Sequence, residues 1–138
     1  DYLLSRTSKL VNFTFKAPKT PIYCEINAQL YSWTIENMVK NAIDAMKGKG
    51  DLQLEIIPAE NAVKVLITDN GKGIPKRNFK KVFQPGFTSK KRGWGLGLSL
   101  AKRIVENYHD GKIKVLRSEI GKGTTMQILL KTVFWKPF

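Results

Sequence analysis

An apolar run ends in a carboxylate and a glycine-rich turn in the stretch Val63-Lys64-Val65-Leu66-Ile67-Thr68-Asp69-Asn70-Gly71-Lys72-Gly73. Residues 63–68 have the β-branched, apolar composition of a buried strand. Asp69 ends this strand, where a carboxylate is costly unless a hydrogen-bond donor meets it. The stretch therefore predicts a strand end whose acidic side chain binds a donor, with a simple turn cap as the alternative.

Further elements are predicted on both sides of this stretch. Asn27 fits the N-cap of a helix that runs to about residue 46, and apolar residues recur along it at helical spacing: Tyr31, Ile35, Met38, Val39, Ala42 and Met46. Strands are predicted at 10–15, 52–57, 112–117 and 124–131, helices at 75–82 and 96–108, and a mobile loop at 84–93. Without regular βαβ alternation, this order predicts an α+β fold: a two-layer sandwich with about three helices on one face of a mixed, mostly antiparallel sheet.

Composition indicates one globular domain over residues 1–138. Hydrophobic residues make up 42% of the chain and charged residues 25%. No apolar run approaches the roughly 20 residues that span a bilayer, and no signal peptide opens the chain. Cys24 is the single cysteine, which excludes an internal disulfide. Because Cys24 lies in an apolar run, we expect it to be a packing residue rather than a nucleophile.

The net charge is unusual, since 24 Lys and Arg residues against 11 Asp and Glu residues give +13. Such an excess favours a polyanionic partner: a nucleotide, a nucleic acid or an anionic membrane surface. Residues 72–92 contain eight basic residues and no acidic one. A solvated basic surface is the alternative for most of them. No nucleic-acid-binding motif accompanies the charge, so a nucleic-acid-binding module is disfavoured.

Three glycine-rich segments cover residues 69–73, 93–97 and 121–124. Each segment alone is weak evidence for a binding site, because glycine pairs also make ordinary turns. The middle segment passes a loose search for a dinucleotide-binding motif. It neither follows a strand nor opens a βαβ unit, so a dinucleotide fold is disfavoured.

Taken together with the first helix, these segments form an ordered set: Asn37 and Asn41, Asp69-x-Gly71-x-Gly73, Phe83 and Phe87, Gly93-x-Gly95-x-Gly97, and Gly121-x-Gly123-Thr124. The set resembles the catalytic domain of histidine kinases, in the superfamily shared with gyrase, Hsp90 and MutL. The resemblance covers residues 27–130. It implies helices layered on a mixed sheet and ATP held under a flexible lid.

The resemblance also implies roles for single residues. Asn37 and Asn41 are four apart and share one helix face, and an amide oxygen suits Mg²⁺. By resemblance Asn41 holds Mg²⁺, Asn37 lies beside it and the phosphates, and Asp69 accepts a hydrogen bond from the adenine amino group. The implied catalytic residues are Asn37, Asn41 and Lys90. The implied nucleotide-binding residues are Asn37, Asn41, Asp69, Gly71, Gly73, Ile74, Phe83, Lys90, Arg92, Gly93, Gly95, Leu96, Gly97, Leu98 and Thr124. Helix-surface amides, core phenylalanines, surface cations and a strand threonine are the structural alternatives.

Two positions depart from the expected pattern. Hydrolytic relatives carry a water-activating Glu four residues before the metal-binding Asn, where this chain has Asn37. Glu36 lies roughly 140° around the helix from Asn41. We therefore expect poor ATP hydrolysis and phosphoryl transfer to a protein instead. Trp94 stands where a small polar residue is expected, and it either packs the lid or stacks at the pocket rim.

The only histidine, His109, ends a predicted helix and is interpreted as structural or exposed rather than as the phospho-acceptor. The dimerisation and phospho-acceptor domain is then expected before Asp1, together with a sensor. The resemblance implies a cytoplasmic domain, itself monomeric and without membrane contact, in a homodimeric protein anchored in the inner membrane that acts on a response regulator. A Ser/Thr protein kinase or an ATPase switch on the same fold is the alternative.

Overall fold

The computed structural model describes residues 10–87 and 97–133. Five strands in these ranges form one sheet: β1 (Val11–Lys16), β2 (Gly50–Ala59), β3 (Ala62–Asp69), β4 (Lys112–Glu119) and β5 (Gly123–Lys131). The order is β1-β2-β3-β5-β4; β1 pairs with β2 in parallel and the other pairs are antiparallel. Two α-helices, α1 (Ala28–Ala45) and α2 (Gly97–Arg103), accompany the sheet. The predicted α+β fold is confirmed.

Helix α1 begins where its cap predicts. Asn27 Oδ1 accepts a hydrogen bond of 3.1 Å from the backbone N–H of Leu30, which satisfies a donor that the first helical turn leaves unpaired. The predicted apolar stripe is buried in the core from Ile35 to Met46, while Tyr31 is half-buried. The stripe therefore orients α1 on the sheet.

The sheet register gathers one line of side chains against the helices. Along β3 and β5 the facing pairs are Val63 with Leu130, Val65 with Ile128, Ile67 with Met126 and Asp69 with Thr124. All eight side chains are buried. Since side chains alternate across a strand, the polar pair continues the core face to the end of the sheet. Asp69 and Thr124 thus lie at the edge of the core rather than on the outer surface.

The second predicted helix changes its winding partway along. Residues 97–103 are α-helical, and Ile104–Tyr108 form a π-helical turn rather than the continuous α-helix that the periodicity predicts. A π turn widens the helix. Its first two residues, Ile104 and Val105, are buried in the core at 3% and 0% exposure. Leu96, the first residue of the predicted helix, lies outside the described residues.

The helix predicted at 75–82 is present as two short 3-10 turns, Lys76–Asn78 and Lys81–Phe83, so the expectation of one continuous helix is wrong. In an α-helix, Lys76 would stack over Lys80 and Arg77 over Lys81, and like charges four residues apart are destabilising. Neither 3-10 segment begins with an acidic residue that would offset these positive charges.

The lone cysteine lies at a bridge beside the sheet. Cys24 pairs with Thr132 and packs, half-buried, against the core. Burial raises the pKa of the Cys24 thiol, which keeps the thiolate, the nucleophilic form, scarce. These surroundings agree with the predicted packing role.

Candidate functional site

The carboxylate of Asp69 ends β3 and is held from two sides. Its Oδ1 accepts a 2.8 Å hydrogen bond from the backbone N–H of Gly71. The backbone N–H of Thr124 also donates to this carboxyl group. Burial raises the pKa of Asp69, and the two hydrogen bonds partly counteract that effect. The side chain is therefore fixed by both flanking glycine segments before any ligand arrives.

The glycines of these segments permit close contact between backbones. Gly73 has φ of 80°, and a Cβ on it would overlap the carbonyl of Glu119. A Cβ on Gly71 would lie 2.5 Å from the carbonyl oxygen of Ala45, at the end of α1. Both glycines therefore let the 69–73 turn pack against α1 and the β4–β5 hairpin. Their role in nucleotide binding stays a prediction.

Ser118 joins the two turns, and the sequence analysis missed it. Its Oγ accepts from the N–H of Ile74 at 2.7 Å, lies 2.9 Å from the carbonyl oxygen of Gly123 and 2.7 Å from Oγ1 of Thr124. Strand alternation would bring Arg117 to this place. A register shift between Val115 and Arg117 pairs Ser118 with Thr124 instead. No feature of the sequence announces that shift.

The other end of the site lies between α1 and α2. A Cβ on Gly97, the first residue of α2, would lie 2.9 Å from both amide atoms of Asn37. The Nδ2 atom of Asn37 is buried and has no hydrogen-bond partner within residues 10–87 and 97–133. Asn41 is half-buried one turn further along α1. The end of α1 then meets the 69–73 turn, where the N–H of Lys72 donates to the carbonyl of Ala45 at 3.1 Å.

The other predicted site residues fall into two groups: some pack against the core, and some lie outside the described residues. Ile74 and Leu98 are half-buried and pack against the core. Phe83 is 7% exposed and belongs to the core, whereas Phe87 is 37% exposed. Five predicted residues lie outside the described part of the chain: Lys90, Arg92, Gly93, Gly95 and Leu96. Trp94 lies there as well.

The site therefore has two chemically different ends along one helix. Asp69 supplies a buried acceptor, and Asn37 supplies a buried donor that has no partner in the described part of the chain. From residue 37 to residue 45, α1 rises by about 12 Å. A buried amide donor without a partner is uncommon in folded proteins, and a bound group with an acceptor atom would satisfy it. The arrangement suits a long ligand with a donor at one end and anionic oxygens at the other.

Known proteins share this sequence pattern. The family model described as histidine kinase-, DNA gyrase B- and HSP90-like ATPase matches residues 27–133. Sporulation kinase E of Bacillus subtilis (strain 168) is 40% identical over 111 residues, which cover 80% of this chain and 14% of that kinase. The sensor histidine kinase ZraS of Escherichia coli (strain K12) is 33% identical over 123 residues, which cover 89% of this chain and 26% of that kinase. The chain thus spans about a quarter or less of these relatives.

Solved structures agree with the sequence matches. The nucleotide-free catalytic domain of histidine kinase ThkA superposes with a TM-score of 0.78 at 28% identity, covering 88% of this chain and 80% of that domain. ThkA in complex with the response regulator TrrA superposes with a TM-score of 0.76 at 26% identity, covering 89% of this chain and 34% of that chain. The chain therefore belongs to the histidine kinase-, DNA gyrase B- and HSP90-like ATPase family, with the fold of a histidine kinase catalytic domain.

Proposed function

We propose that residues 1–138 are the single catalytic domain of a two-component sensor histidine kinase, which transfers the γ-phosphoryl group of ATP to a histidine on a separate dimerisation domain. One observation carries the proposal: the buried donor Asn37 Nδ2, which has no partner among the described residues, lies on α1, and the buried acceptor Asp69 begins the turn that contacts the end of that helix. Adenine and triphosphate provide the complementary groups in the same order.

At the adenine end, the Asp69 carboxylate accepts from the exocyclic amino group. Thr124 lies opposite Asp69 on the neighbouring strand, within reach of the same edge of the base. Gly71 and Gly73 shape the turn beneath the base, and Ile74 supplies an apolar contact. Phe83 supports this wall from the core.

At the phosphate end, Asn37 Nδ2 donates to a phosphate oxygen. Gly97 leaves space beside the Asn37 amide, where any larger residue would collide with it. Leu98 anchors the start of α2 in the core. By resemblance, the lid residues Lys90, Arg92, Gly93, Gly95 and Leu96 close over the phosphates, and Lys90 and Arg92 offset their charge.

Magnesium fits the donor set on α1 at one residue. The Asn37 atom without a partner among residues 10–87 and 97–133 is an N–H donor, which suits a phosphate oxygen and not a cation. The amide oxygen of Asn41 is a neutral oxygen ligand, and Mg²⁺ commonly combines such ligands with substrate phosphates and water. When bound, Mg²⁺ neutralises charge that develops on the transferred group.

The residues favour transfer to a protein over hydrolysis. The α1 side chain beside Gly97 is an amide, which cannot remove a proton from water. Asn37, Asn41 and Lys90 therefore act by positioning and charge neutralisation, which is most of what phosphoryl transfer requires. The attacking imidazole comes from the partner domain.

The intact protein is larger than this chain in our proposal. The dimerisation domain with the phospho-acceptor histidine lies before Asp1, and the full protein is a homodimer anchored in the inner membrane, with this domain in the cytoplasm. Among the described residues no helix is both long and apolar enough to cross a bilayer. The domain itself is monomeric and contacts neither membrane nor nucleic acid. The ThkA–TrrA complex supports a response regulator as the downstream partner.

The test is a calorimetric titration of Mg·ATP into the purified chain and into Asp69→Asn. Asp110→Asn is the matched control, because it makes the same change at an exposed carboxylate paired with Lys131. We expect saturable binding by the parent and the control, and strongly weakened binding by Asp69→Asn. A single-stranded oligonucleotide is titrated in parallel.

Transfer is tested by adding a helical hairpin from a relative that carries the phospho-acceptor histidine, with radiolabelled ATP. Label should pass to the hairpin, and Asn41→Ala should abolish the transfer. Binding of ATP that is indifferent to Asp69, or oligonucleotide binding of equal strength, would overturn the nucleotide site. Rapid ATP hydrolysis without transfer would instead support an ATPase.

A further inference from the structure

We infer that Ser118 determines base specificity: it holds the hydroxyl proton of Thr124 away from the base, so that Asp69 and Thr124 together present only acceptors and select an amino group over a carbonyl group. Ser118 is a positioning residue, since it acts through Thr124. The inference rests on the proposed function and adds to it the origin of the preference for adenine.

Ser118 Oγ has three polar neighbours, which is the number of hydrogen bonds that one hydroxyl group can make. The N–H of Ile74, at 2.7 Å, can only donate to it. The carbonyl oxygen of Gly123, at 2.9 Å, can only accept from it. Thr124 Oγ1, at 2.7 Å, can do either. A hydroxyl group has one proton to donate and two lone pairs to accept with.

These capacities fix the direction of the third bond. If the single Ser118 proton goes to the Gly123 carbonyl, then the bond to Thr124 requires the Thr124 proton. All three contacts are then satisfied together, with one bond donated and two accepted. The opposite choice leaves the Gly123 carbonyl without the Ser118 donor. The satisfied arrangement leaves Thr124 Oγ1 with lone pairs only for any other partner.

The neighbouring Asp69 carboxylate likewise offers only hydrogen-bond acceptors. Its nearby backbone donors, the N–H groups of Gly71 and Thr124, are already directed at its carboxylate. Asp69 and Thr124 face each other at the end of β3 and β5. The end of the pocket therefore combines a carboxylate with a hydroxyl oxygen that cannot donate.

Such a pair distinguishes purine bases by their exocyclic group. Adenine carries an amino donor where guanine carries a carbonyl acceptor, and hypoxanthine carries the same carbonyl. An amino group has two protons for two acceptors, whereas a carbonyl oxygen would face two acceptors without a proton between them. Without Ser118, the Thr124 hydroxyl can rotate and donate to a carbonyl group, so discrimination falls.

The experiment compares the dissociation constants of ATP and inosine triphosphate for the parent chain and for Ser118→Ala. We expect Ser118→Ala to weaken ATP binding about threefold to tenfold, the range typical of one hydrogen bond. Inosine triphosphate binding should change less, so the ratio of the inosine triphosphate dissociation constant to the ATP dissociation constant falls. Ser118→Thr, which keeps the hydroxyl group, should restore the ratio.

Thr68→Val is the matched control. Thr68 precedes Asp69 and makes a 3.0 Å hydroxyl contact with Thr125, on the opposite face of the sheet. It should leave the ratio unchanged. If Ser118→Ala does not fold, as judged by thermal unfolding, Thr124→Val carries the test: it removes the Thr124 acceptor and should lower the ratio in the same way.

Each result has a separate meaning. An unchanged ratio in Ser118→Ala, with both affinities falling by the same factor, would make Ser118 merely structural and would overturn the inference. An unchanged ratio in Thr124→Val would overturn it as well. A parent chain that binds neither nucleotide would overturn the proposed function itself. A parent that prefers ATP, with that preference lost only in the Ser118 and Thr124 variants, supports both.

Discussion

At the residue scale, Asp69 is subject to two opposing effects. Burial disfavours its charged form and raises its pKa above the ordinary value of 3.8, while hydrogen bonds from Gly71 and Thr124 favour the charged form. Burial is the larger effect. The folded chain therefore keeps this proton to a higher pH than the unfolded chain. The contribution of Asp69 to stability is complete below its unfolded pKa and is lost as pH rises through its folded pKa.

Removing this carboxylate should change the pH dependence of stability. Asp69→Asn cannot titrate, so its free energy of unfolding minus that of the parent should increase as pH rises from below 3.8 through the raised pKa. Urea unfolding of the nucleotide-free proteins at a series of pH values measures the difference. Asp110→Asn should show the opposite sign, because Lys131 lowers the pKa of Asp110. A flat difference for Asp69→Asn would contradict the burial argument.

Gly73 and Gly121 provide a second comparison between residues. Both have φ of 80°, but only at Gly73 would an added Cβ meet other atoms, the backbone of Glu119 and Ile120. Gly121→Ala should cost about 1 kcal/mol for the left-handed backbone alone. Gly73→Ala should cost about 2 kcal/mol more, because backbone must also move. Thermal unfolding of both variants gives the comparison, and equal losses would show that the turns are not tightly packed.

Among the helices and strands, those with local sequence signals could be predicted, whereas the order of the strands in the sheet could not. Helix α1 followed from Asn27 and the apolar stripe, since a cap and a 3.6-residue period are both local. The strands followed from alternation. That β5 lies between β3 and β4 did not, because pairing depends on the whole chain. The helix predicted at 75–82 shows the limit, because the cations that a continuous helix would place four residues apart repel one another.

The site shows the same division. A carboxylate at the end of an apolar strand marks Asp69 as a candidate in the sequence, and the resemblance marks Asn37 and Asn41, which share a helix face. Ser118 could not be predicted, because a register shift in β4 brings it opposite Thr124. The contact between Asn37 and Gly97 joins two helices that only the packing brings together.

His109 also joins the end of the π-helical turn that follows α2 to the start of α1. Its Nε2 accepts from the backbone N–H of Asn27 at 2.9 Å, and the side chain is 7% exposed. The centroids of the Tyr31 and His109 rings are 6.4 Å apart, and the two rings meet edge to face. This burial agrees with the structural interpretation of His109. The histidine links the last turn of the second helical segment to the start of α1.

His109→Ala should therefore destabilise the chain by about 2 to 4 kcal/mol, because it leaves a cavity and an N–H without its acceptor. Asn27→Ala removes only the side-chain cap and should cost about 1 kcal/mol. Urea unfolding measures both. Phosphoryl transfer per folded molecule should be the same in His109→Ala as in the parent. Loss of transfer at full folding would make His109 a participant in the reaction.

At the scale of the whole molecule, the charge of +13 acts on stability and on nucleotide binding in opposite directions. Like charges repel in the compact state, and salt screens this repulsion over about 10 Å at 0.1 M. The same salt also screens the attraction between the chain and a triphosphate. Part of the basic excess lies at the start of the second 3-10 turn, where Lys81 and the preceding Lys80 are exposed.

Raising NaCl from about 0.02 M to about 0.3 M should increase the free energy of unfolding of the nucleotide-free chain by about 1 kcal/mol, while ATP affinity falls. The double variant Lys80→Gln, Lys81→Gln should show a smaller increase, because it carries two fewer charges. Comparing the variant with the parent removes the general effect of salt on apolar burial, which is common to both. Equal salt responses would place the repulsion elsewhere on the surface. If stability rises and affinity falls in one buffer series, the basic excess serves anion binding at a cost in stability, because no single ionic condition favours both.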